Sequence, residues 1–238
     1  MTGDVLGGKY EIEHLLGEGG MCVVMAARHL QLEERVAIKF LRPELGDDPE
    51  GVERFMREGR TAIRIKNDHV VHIHDVDVLP SGTPYLVMEH LDGSDLDALI
   101  LAHGPSPIAL AVDYILQAGE AIAEAHSLGI VHRDLKPANL FFTRRADGSP
   151  WIKVLDFGIS KMTRRKESLR QERLTGGHAV MGSPHYMSPE QLRSTRDVDE
   201  RTDIWALGTI LHELLTGQPA FDGPSLSAVC AKIMEAQP

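Results

Sequence analysis

The spacing of apolar residues changes near residue 93 of this 238-residue chain, and that change limits the folds open to it. Before it, short apolar runs rich in β-branched residues and bounded by glycine, proline or charged turns predict β-strands. The predicted strands are Tyr10–Leu16, Cys22–Arg28, Val36–Phe40, Val70–Leu79 and Tyr85–Met88. Between Pro49 and Lys66 the apolar residues stand three or four apart among charges, which predicts one amphipathic helix.

After Gly93 the helical spacing dominates. The predicted helices are Leu96–Leu101, Ile108–Leu128, Thr202–Leu215 and Leu226–Met234. A strand-rich segment followed by a helix-rich one is typical of an α+β protein with segregated layers or two lobes. We therefore expect a β-rich lobe over residues 1–91 and a mainly helical lobe over residues 92–238, with a connector at Leu91–Asp95.

Composition excludes several classes of protein. The 25 basic against 35 acidic residues give a net charge of −10, which disfavours nucleic acid as a partner. Hydrophobic and charged fractions of 42% and 25% exclude a disordered or fibrous chain. Two cysteines suit a reducing compartment, and no run approaches the roughly 18 apolar residues of a membrane helix. We expect a cytoplasmic protein, although a longer parent protein would be compatible with membrane tethering.

A glycine-rich turn, Leu16 to Val24, lies between the first two predicted strands. Glycines let backbone N–H groups approach a phosphate closely. An ordinary hairpin with a flexible turn explains the three glycines about equally well. A dinucleotide-binding turn requires a helix after it, whereas Cys22 to Met25 has the pattern of a strand, which argues against a Rossmann fold.

Lys39 ends the apolar strand Val36-Ala37-Ile38-Lys39. A lysine on a buried strand is costly unless it is paired, and Glu58 on the predicted helix is a candidate partner. The alternative is an edge-strand lysine that holds its ammonium in water.

The densest group of polar side chains is His132-Arg133-Asp134-Leu135-Lys136-Pro137-Ala138-Asn139. Pro137 excludes a regular helix interior, so these side chains lie on an irregular loop where they can converge; a simple surface turn is the alternative. Asp156 follows the apolar strand Trp151–Leu155. Asn139 and Asp156 offer the oxygen ligands that suit Mg²⁺.

These motifs together resemble a protein kinase domain from Lys9 to about Ala220. In chain order they are Gly17-x-Gly19, Val36-Ala37-Ile38-Lys39, Glu58, His132-Arg133-Asp134 with Asn139, Asp156-Phe157-Gly158 and Ser188-Pro189-Glu190. The residue sequences of these motifs are most similar to those of bacterial, eukaryotic-like serine/threonine kinases. A lysine two residues after Asp134, here Lys136, is typical of serine/threonine kinases. The resemblance implies a two-lobed kinase fold, with a small antiparallel sheet and one helix in the first lobe.

The resemblance also implies ATP and Mg²⁺, with Mn²⁺ as an alternative metal. Lys39 would hold the α- and β-phosphates while it pairs with Glu58, and Met88 would be the gatekeeper. The residues expected around ATP are Leu16, Gly17, Glu18, Gly19, Gly20, Val24, Ala37, Lys39, Glu58, Met88, Glu89, Leu91 and Leu140.

For the transfer step, the resemblance implies that Asp134 orients the hydroxyl of a protein serine or threonine and accepts its proton. Lys136 would stabilise the moving phosphoryl group, and Asn139 with Asp156 would hold the metal ions. Asp203 would brace the catalytic loop from the following helix.

The stretch from Asp156 to Glu190 would be an activation segment, in which Arg133 captures a phosphate and thereby orders the chain. Thr175 and Ser183 are the candidate phosphosites. We favour Thr175 as the regulatory one, with Ser183 in a structural role near Asp134. Self-association for autophosphorylation is a further expectation.

Two departures from the kinase pattern bear on activity. Cys22 stands where a third glycine is usual, and in relatives the helical lobe continues past the equivalent of Pro238. We therefore expect a C-terminally truncated domain that lacks its last helices. A weakly active or inactive pseudokinase that acts as a scaffold is the alternative function. A small-molecule phosphotransferase is less favoured, because such enzymes lack the Ser188-Pro189-Glu190 segment.

Overall fold

The computed structural model describes residues 2–42, 49–157, 184–193 and 198–235. Thr175 and Ser183, the candidate phosphosites, lie outside the described residues. Contacts between Cα atoms divide the chain into two compact units, Met1–Asp92 and Gly93–Pro238. Each unit is described separately below.

The first unit contains an antiparallel sheet of six strands in the order β1-β2-β3-β4-β6-β5. Each predicted strand of this region corresponds to a strand in the sheet, and the two-residue β1 is additional. The strands are β1 Val5–Leu6, β2 Tyr10–Glu18, β3 Cys22–His29, β4 Arg35–Leu41, β5 Ile73–Val78 and β6 Pro84–Glu89.

Helix α1, Pro49–Ala62, covers part of this sheet through Phe55, which packs with Leu41 and Leu86 in one buried cluster. A second cluster includes Val36, Ile38 and Phe40, the alternate positions of β4. Since successive strand residues point to opposite faces, β4 is buried on both sides.

Two boundaries in this unit differ from the sequence prediction. Helix α1 ends at Ala62 instead of Lys66, because tight turns follow in which Arg64 N–H donates to Thr61 O and Ile65 N–H to Ala62 O. Strand β5 begins at Ile73 instead of Val70, whose N–H donates to Asn67 O within a turn.

The second unit is mainly helical, and its four predicted helices are confirmed to within two residues at each end. Its helices are α2 Leu96–His103, α3 Ile108–Ser127, α4 Pro189–Arg193, α5 Arg201–Thr216 and α6 Leu226–Glu235. Strands β7 Ser94–Asp95, β8 Leu140–Arg144 and β9 Pro150–Val154 form a small antiparallel sheet. The α+β class is confirmed.

Gly93, within the expected connector, begins this unit with a backbone conformation that other residues rarely adopt. Its φ angle is +153°, and a Cβ at this position would clash with the carbonyl oxygen of Phe142 on β8. Only glycine therefore allows the chain to enter β7 so close to β8. Two residues later, the Asp95 carboxylate caps α2 by accepting from Ala98 N–H at 2.8 Å.

Within the described ranges, none of the helices combines the length and the apolar character needed to cross a membrane.

Candidate active site

The glycine-rich turn joins β2, which ends at Glu18, to β3, which begins at Cys22. Gly19 N–H donates to Cys22 O at 2.9 Å and closes the turn. The Arg42 side chain ties the turn to the end of β4: its Nε donates to Gly19 O at 2.8 Å and its Nη2 lies 2.6 Å from Glu18 Oε1. The sequence prediction missed Arg42, which directly follows the strand that pairs with β3.

Lys39 and Glu58 form a buried ion pair with an Nζ to Oε1 distance of 2.9 Å. Strand β4 lies between β3 and β6, so Lys39 is on a central strand and the edge-strand interpretation is wrong. The exposed fractions of the two residues are 6% and 9%. Pairing offsets the cost of burying either charge alone, as the sequence had suggested.

The other expected nucleotide-binding residues of this unit lie on four of its strands or just after them. Gly17 pairs with Val24, and Val24 pairs with Lys39, so these three form one row across β2, β3 and β4. Ala37 pairs with Met88 in the adjacent row. Of the remaining expected residues, Leu16 lies in β2, Gly20 lies in the turn after it, and Glu89 and Leu91 lie at the end of the unit.

In the second unit, the loop before β8 brings Asp134, Lys136 and Asn139 together. Lys136 Nζ lies 3.8 Å from Asp134 Oδ2, and Asn139 Nδ2 donates to Asp134 O at 2.7 Å. A single 3-10 turn, Pro137–Asn139, places Asn139 under the loop, where it is buried. Leu140, the expected adenine contact of this unit, follows directly and is also buried.

Asp203, in the first turn of α5, anchors this loop through both carboxylate oxygens. Oδ1 accepts from Arg133 N–H at 2.8 Å, and Oδ2 accepts from His132 N–H and His126 Nε2–H, each at 2.8 Å. Only 1% of Asp203 is exposed. Its bonds hold Arg133 at a φ of +64°, a conformation that non-glycine residues avoid.

His132 connects the loop to the end of β9. Its Nδ1 accepts from Asp134 N–H at 3.3 Å, so the ring proton is on Nε2, which donates to Leu155 O at 2.9 Å. The ring also packs on Phe157, with 4.9 Å between ring centroids. His132 is therefore held as one neutral tautomer, and it fixes the chain on both sides of Asp156.

Asn139 and Asp156 fit the role of metal ligands. The Asn139 amide nitrogen is used by Asp134 O, so the side-chain oxygen is the atom available to a cation. Leu155 N–H donates to Asn139 O at 2.9 Å, which brings the chain before Asp156 alongside Asn139. Within the ranges described, no group of three or more His, Cys, Asp or Glu residues has the geometry of a metal cluster. This pair suits Mg²⁺, which binds few protein oxygens and several phosphate or water oxygens.

A second polar pair, which the sequence analysis missed, links the segment before α4 to helix α5. Tyr186 Oη donates to Glu213 Oε2 at 2.7 Å. Burial is the main cause that raises the pKa of both groups, and the nearby Asp97 carboxylate raises both further. The sequence signal that could have indicated this pair is the Glu213 carboxylate, which lies among the apolar positions Ile210 and Leu214 of α5.

Comparison with known proteins finds one family and many relatives. A model of the protein kinase domain matches residues 10–237. The serine/threonine-protein kinase Pkn3 of Myxococcus xanthus is 36% identical over 237 residues, which are 100% of this chain and 43% of that protein. Pkn1 of the same organism is 41% identical over 223 residues, 93% of this chain and 31% of that protein.

A third relative is the serine/threonine-protein kinase PknB of Mycobacterium leprae. It is 36% identical over 236 residues, which are 98% of this chain and 36% of that protein. The chain thus spans less than half the length of these three curated relatives.

Proposed function

The chain belongs to the protein kinase domain family, and from this membership we propose that it transfers the γ-phosphate of ATP to serine and threonine hydroxyls of proteins. One observation carries the proposal: Asp134, Lys136 and Asn139 converge on a loop whose backbone is anchored by Asp203. Phosphoryl transfer depends on positioning and on neutralising charge, and such a loop supplies both.

In the first unit, the paired Lys39 and the turn around Gly19 are the proposed phosphate-binding groups. The bond to Glu58 holds the Lys39 ammonium in one place, so it can contact phosphate oxygens without moving far. The row of Gly17, Val24 and Lys39 sets the distance between the turn and this ammonium.

In the second unit, Asp134 is the proposed base that orients the substrate hydroxyl and accepts its proton. Lys136, 3.8 Å away, stabilises charge on the transferring group. Asn139 and Asp156 would hold Mg²⁺, or Mn²⁺ in its place, and the bound metal would neutralise phosphate charge. Protein serine and threonine are the proposed acceptors, since the relatives are named serine/threonine-protein kinases.

Regulation by phosphorylation of the activation segment is part of the proposal, with Thr175 as the regulatory site and Ser183 as the second candidate. Arg133, next to the proposed base, is the cation that would bind such a phosphate. Autophosphorylation would occur between associated copies of the chain. The two cysteines of the chain, Cys22 and Cys230, fit a reducing cytoplasm as the place of action.

Transfer of labelled γ-phosphate to a generic basic protein tests the proposal. We expect wild type to label the protein in the presence of Mg²⁺, and Asp134→Asn to lower the rate by about 10²- to 10⁴-fold. Asp147→Asn, on an exposed turn of the same unit, is the matched control and should retain the wild-type rate. Thermal melting confirms that each variant is folded. Equal labelling by wild type and Asp134→Asn would reject the transferase and favour the pseudokinase alternative.

A further inference from the structure

The side chain of Gln191, in the short helix α4, bridges two backbone groups that are distant in sequence. Its Nε2 donates to Arg133 O at 2.9 Å, and its Oε1 accepts from Ser188 N–H at 3.0 Å. The amide nitrogen can only donate and the amide oxygen can only accept. Both bonds therefore require this one orientation of the amide, and turning it over would lose both.

The bond to Arg133 O acts on the peptide that leads into Asp134. The N–H of that same peptide donates to His132 Nδ1 at 3.3 Å. Because a peptide group is planar, holding its oxygen and its N–H fixes the rotation of the whole plane. That rotation sets the direction in which the Asp134 side chain leaves the backbone.

Asp203 cannot supply this control by itself. It accepts from the N–H of Arg133, which belongs to the preceding peptide. Arg133 has a φ of +64°, so the two peptides that flank its Cα meet at an angle that is unusual outside glycine. Asp203 holds one of these peptides, whereas Gln191 and His132 hold the other.

The other end of the bridge is also fixed. Ser188 is fully buried, and its Oγ lies 2.8 Å from Thr202 Oγ1 on α5, one residue before Asp203. Gln191, Ser188, Thr202, Asp203 and Arg133 thus form a closed ring of bonds between α4, α5 and the catalytic loop.

We propose that Gln191 is a positioning residue for Asp134, through which the Ser188-Pro189-Glu190 segment sets the direction of the proposed catalytic carboxylate. The inference rests on the proposed function, in which Asp134 is the base. A displacement of α4 would be transmitted to the Arg133–Asp134 peptide, and the transfer step would slow without a change in ATP binding.

The test compares Gln191→Leu with Gln117→Leu. Gln117 makes the same kind of bridge in the same unit: its Nε2 donates to Pro150 O at 3.3 Å and its Oε1 accepts from Ile152 N–H at 2.8 Å. Both substitutions remove an amide that joins a backbone donor and acceptor. Only the Gln191 variant acts on the loop that carries Asp134.

We expect Gln191→Leu to lower kcat about tenfold or more while KM for ATP changes less than about twofold. Gln117→Leu should leave kcat within about twofold of wild type, even where it lowers the melting temperature. Gln191→Asn, whose shorter side chain carries the same amide, should fall between wild type and Gln191→Leu. A kcat for Gln191→Leu within twofold of wild type, or an equal loss in Gln117→Leu, overturns the proposal.

Amide hydrogen exchange gives a measurement that does not depend on activity. Without the Gln191 bridge, the Asp134 N–H should exchange about tenfold faster or more, whereas Gln117→Leu should leave its exchange unchanged. Unchanged exchange at Asp134 in Gln191→Leu overturns the positioning role. If wild type is inactive but the Asp134 N–H still exchanges faster in Gln191→Leu, the proposed function is rejected while the role of the Gln191 bridge in holding this peptide is supported.

Discussion

One buried carboxylate in each unit, Glu58 in the first and Asp203 in the second, is held in a different way. In the first, Glu58 on α1 meets the side chain of Lys39 on β4 at 2.9 Å. In the second, Asp203 accepts from two backbone N–H groups and one histidine. A side-chain pair depends on how a helix packs on a sheet, whereas a carboxylate bonded to backbone determines the path of the chain itself. We therefore expect the first arrangement to be replaceable for folding and the second not.

The largest effect is expected from Asp203→Ala. The substitution leaves the N–H groups of His132 and Arg133 without their acceptor in a buried site, and we expect the free energy of unfolding to fall by about 3–5 kcal/mol. Urea denaturation measures it. Asp199→Ala is the matched control, because its partner Arg201 is on the surface, and its loss should be much smaller. Equal losses in the two variants would contradict the anchoring role of Asp203.

The Lys39 pair gives the next largest effect. Lys39→Met leaves the Glu58 carboxylate buried without that ammonium, and we expect a loss of about 2–4 kcal/mol in unfolding free energy. The double variant Lys39→Met with Glu58→Leu should recover half or more of it, because apolar residues can fill the same space. Both variants should lose phosphate transfer. If the double variant recovers none of the lost unfolding free energy, the Lys39–Glu58 pair is not replaceable for folding, and the contrast with Asp203 fails.

Gly59 tests how the packing of α1 controls that pair. A Cβ at Gly59 would lie 2.5 Å from Leu86 Cδ2 on β6, so either the buried Leu86 side chain or the helix next to Glu58 must shift. We expect Gly59→Ala to lower the unfolding free energy by about 1–3 kcal/mol, although alanine favours helices.

Gly119→Ala in α3 is the control for that substitution. A Cβ at Gly119 meets no atom within 4 Å in the part of the chain that the structure describes. Alanine should there stabilise by about 0.5–1 kcal/mol through its helix propensity. Thermal unfolding of both variants gives the comparison, and stabilisation in both would show that α1 tolerates a shift.

The smallest effect is expected in how the stability of the protein depends on alkaline pH, through Tyr85 of the first unit. Burial and then the neighbouring Asp77 carboxylate raise the pKa of Tyr85 to about 12, from about 10 in an unfolded chain. Between these values the unfolded chain loses the proton first, so wild-type stability should fall as pH rises from about 10 to about 12. Tyr85→Phe should show a shallower fall in urea denaturation at these pH values. Parallel profiles would exclude the contribution of Tyr85.

The sequence predicted the helices and strands well because each of them rests on a local signal. Strand β4 and helix α5 follow from apolar spacing over seven and 16 residues. The sequence also indicated Glu58 as a partner of Lys39, because a buried charge requires a partner. Strands β1 and β7, of two residues each, carry too few side chains for any periodicity, so only their backbone bonds define them.

Supporting contacts were beyond sequence reasoning for a different reason. Arg42, Gln191 and Tyr186 are polar residues of types common on surfaces, and each has a partner that lies 23 or more residues away. These contacts form only when the chain folds, and the residue types alone do not indicate them. Tyr186 pairs with Glu213 because the fold places the turn Pro184–Tyr186 beside α5, and no local pattern in the sequence indicates that placement.

The way Asp203 binds has a consequence for which sequences this loop can accept. The carboxylate bonds to the main-chain N–H groups of His132 and Arg133, which almost every amino acid possesses. These two bonds are thereby independent of the identity of the side chains at positions 132 and 133. Mutation can then change the side chain of residue 133, the proposed cation for a bound phosphate, while one aspartate elsewhere in the chain keeps both backbone bonds. Under the proposed function, position 133 is therefore a place where regulation can evolve while Asp203 continues to anchor the loop.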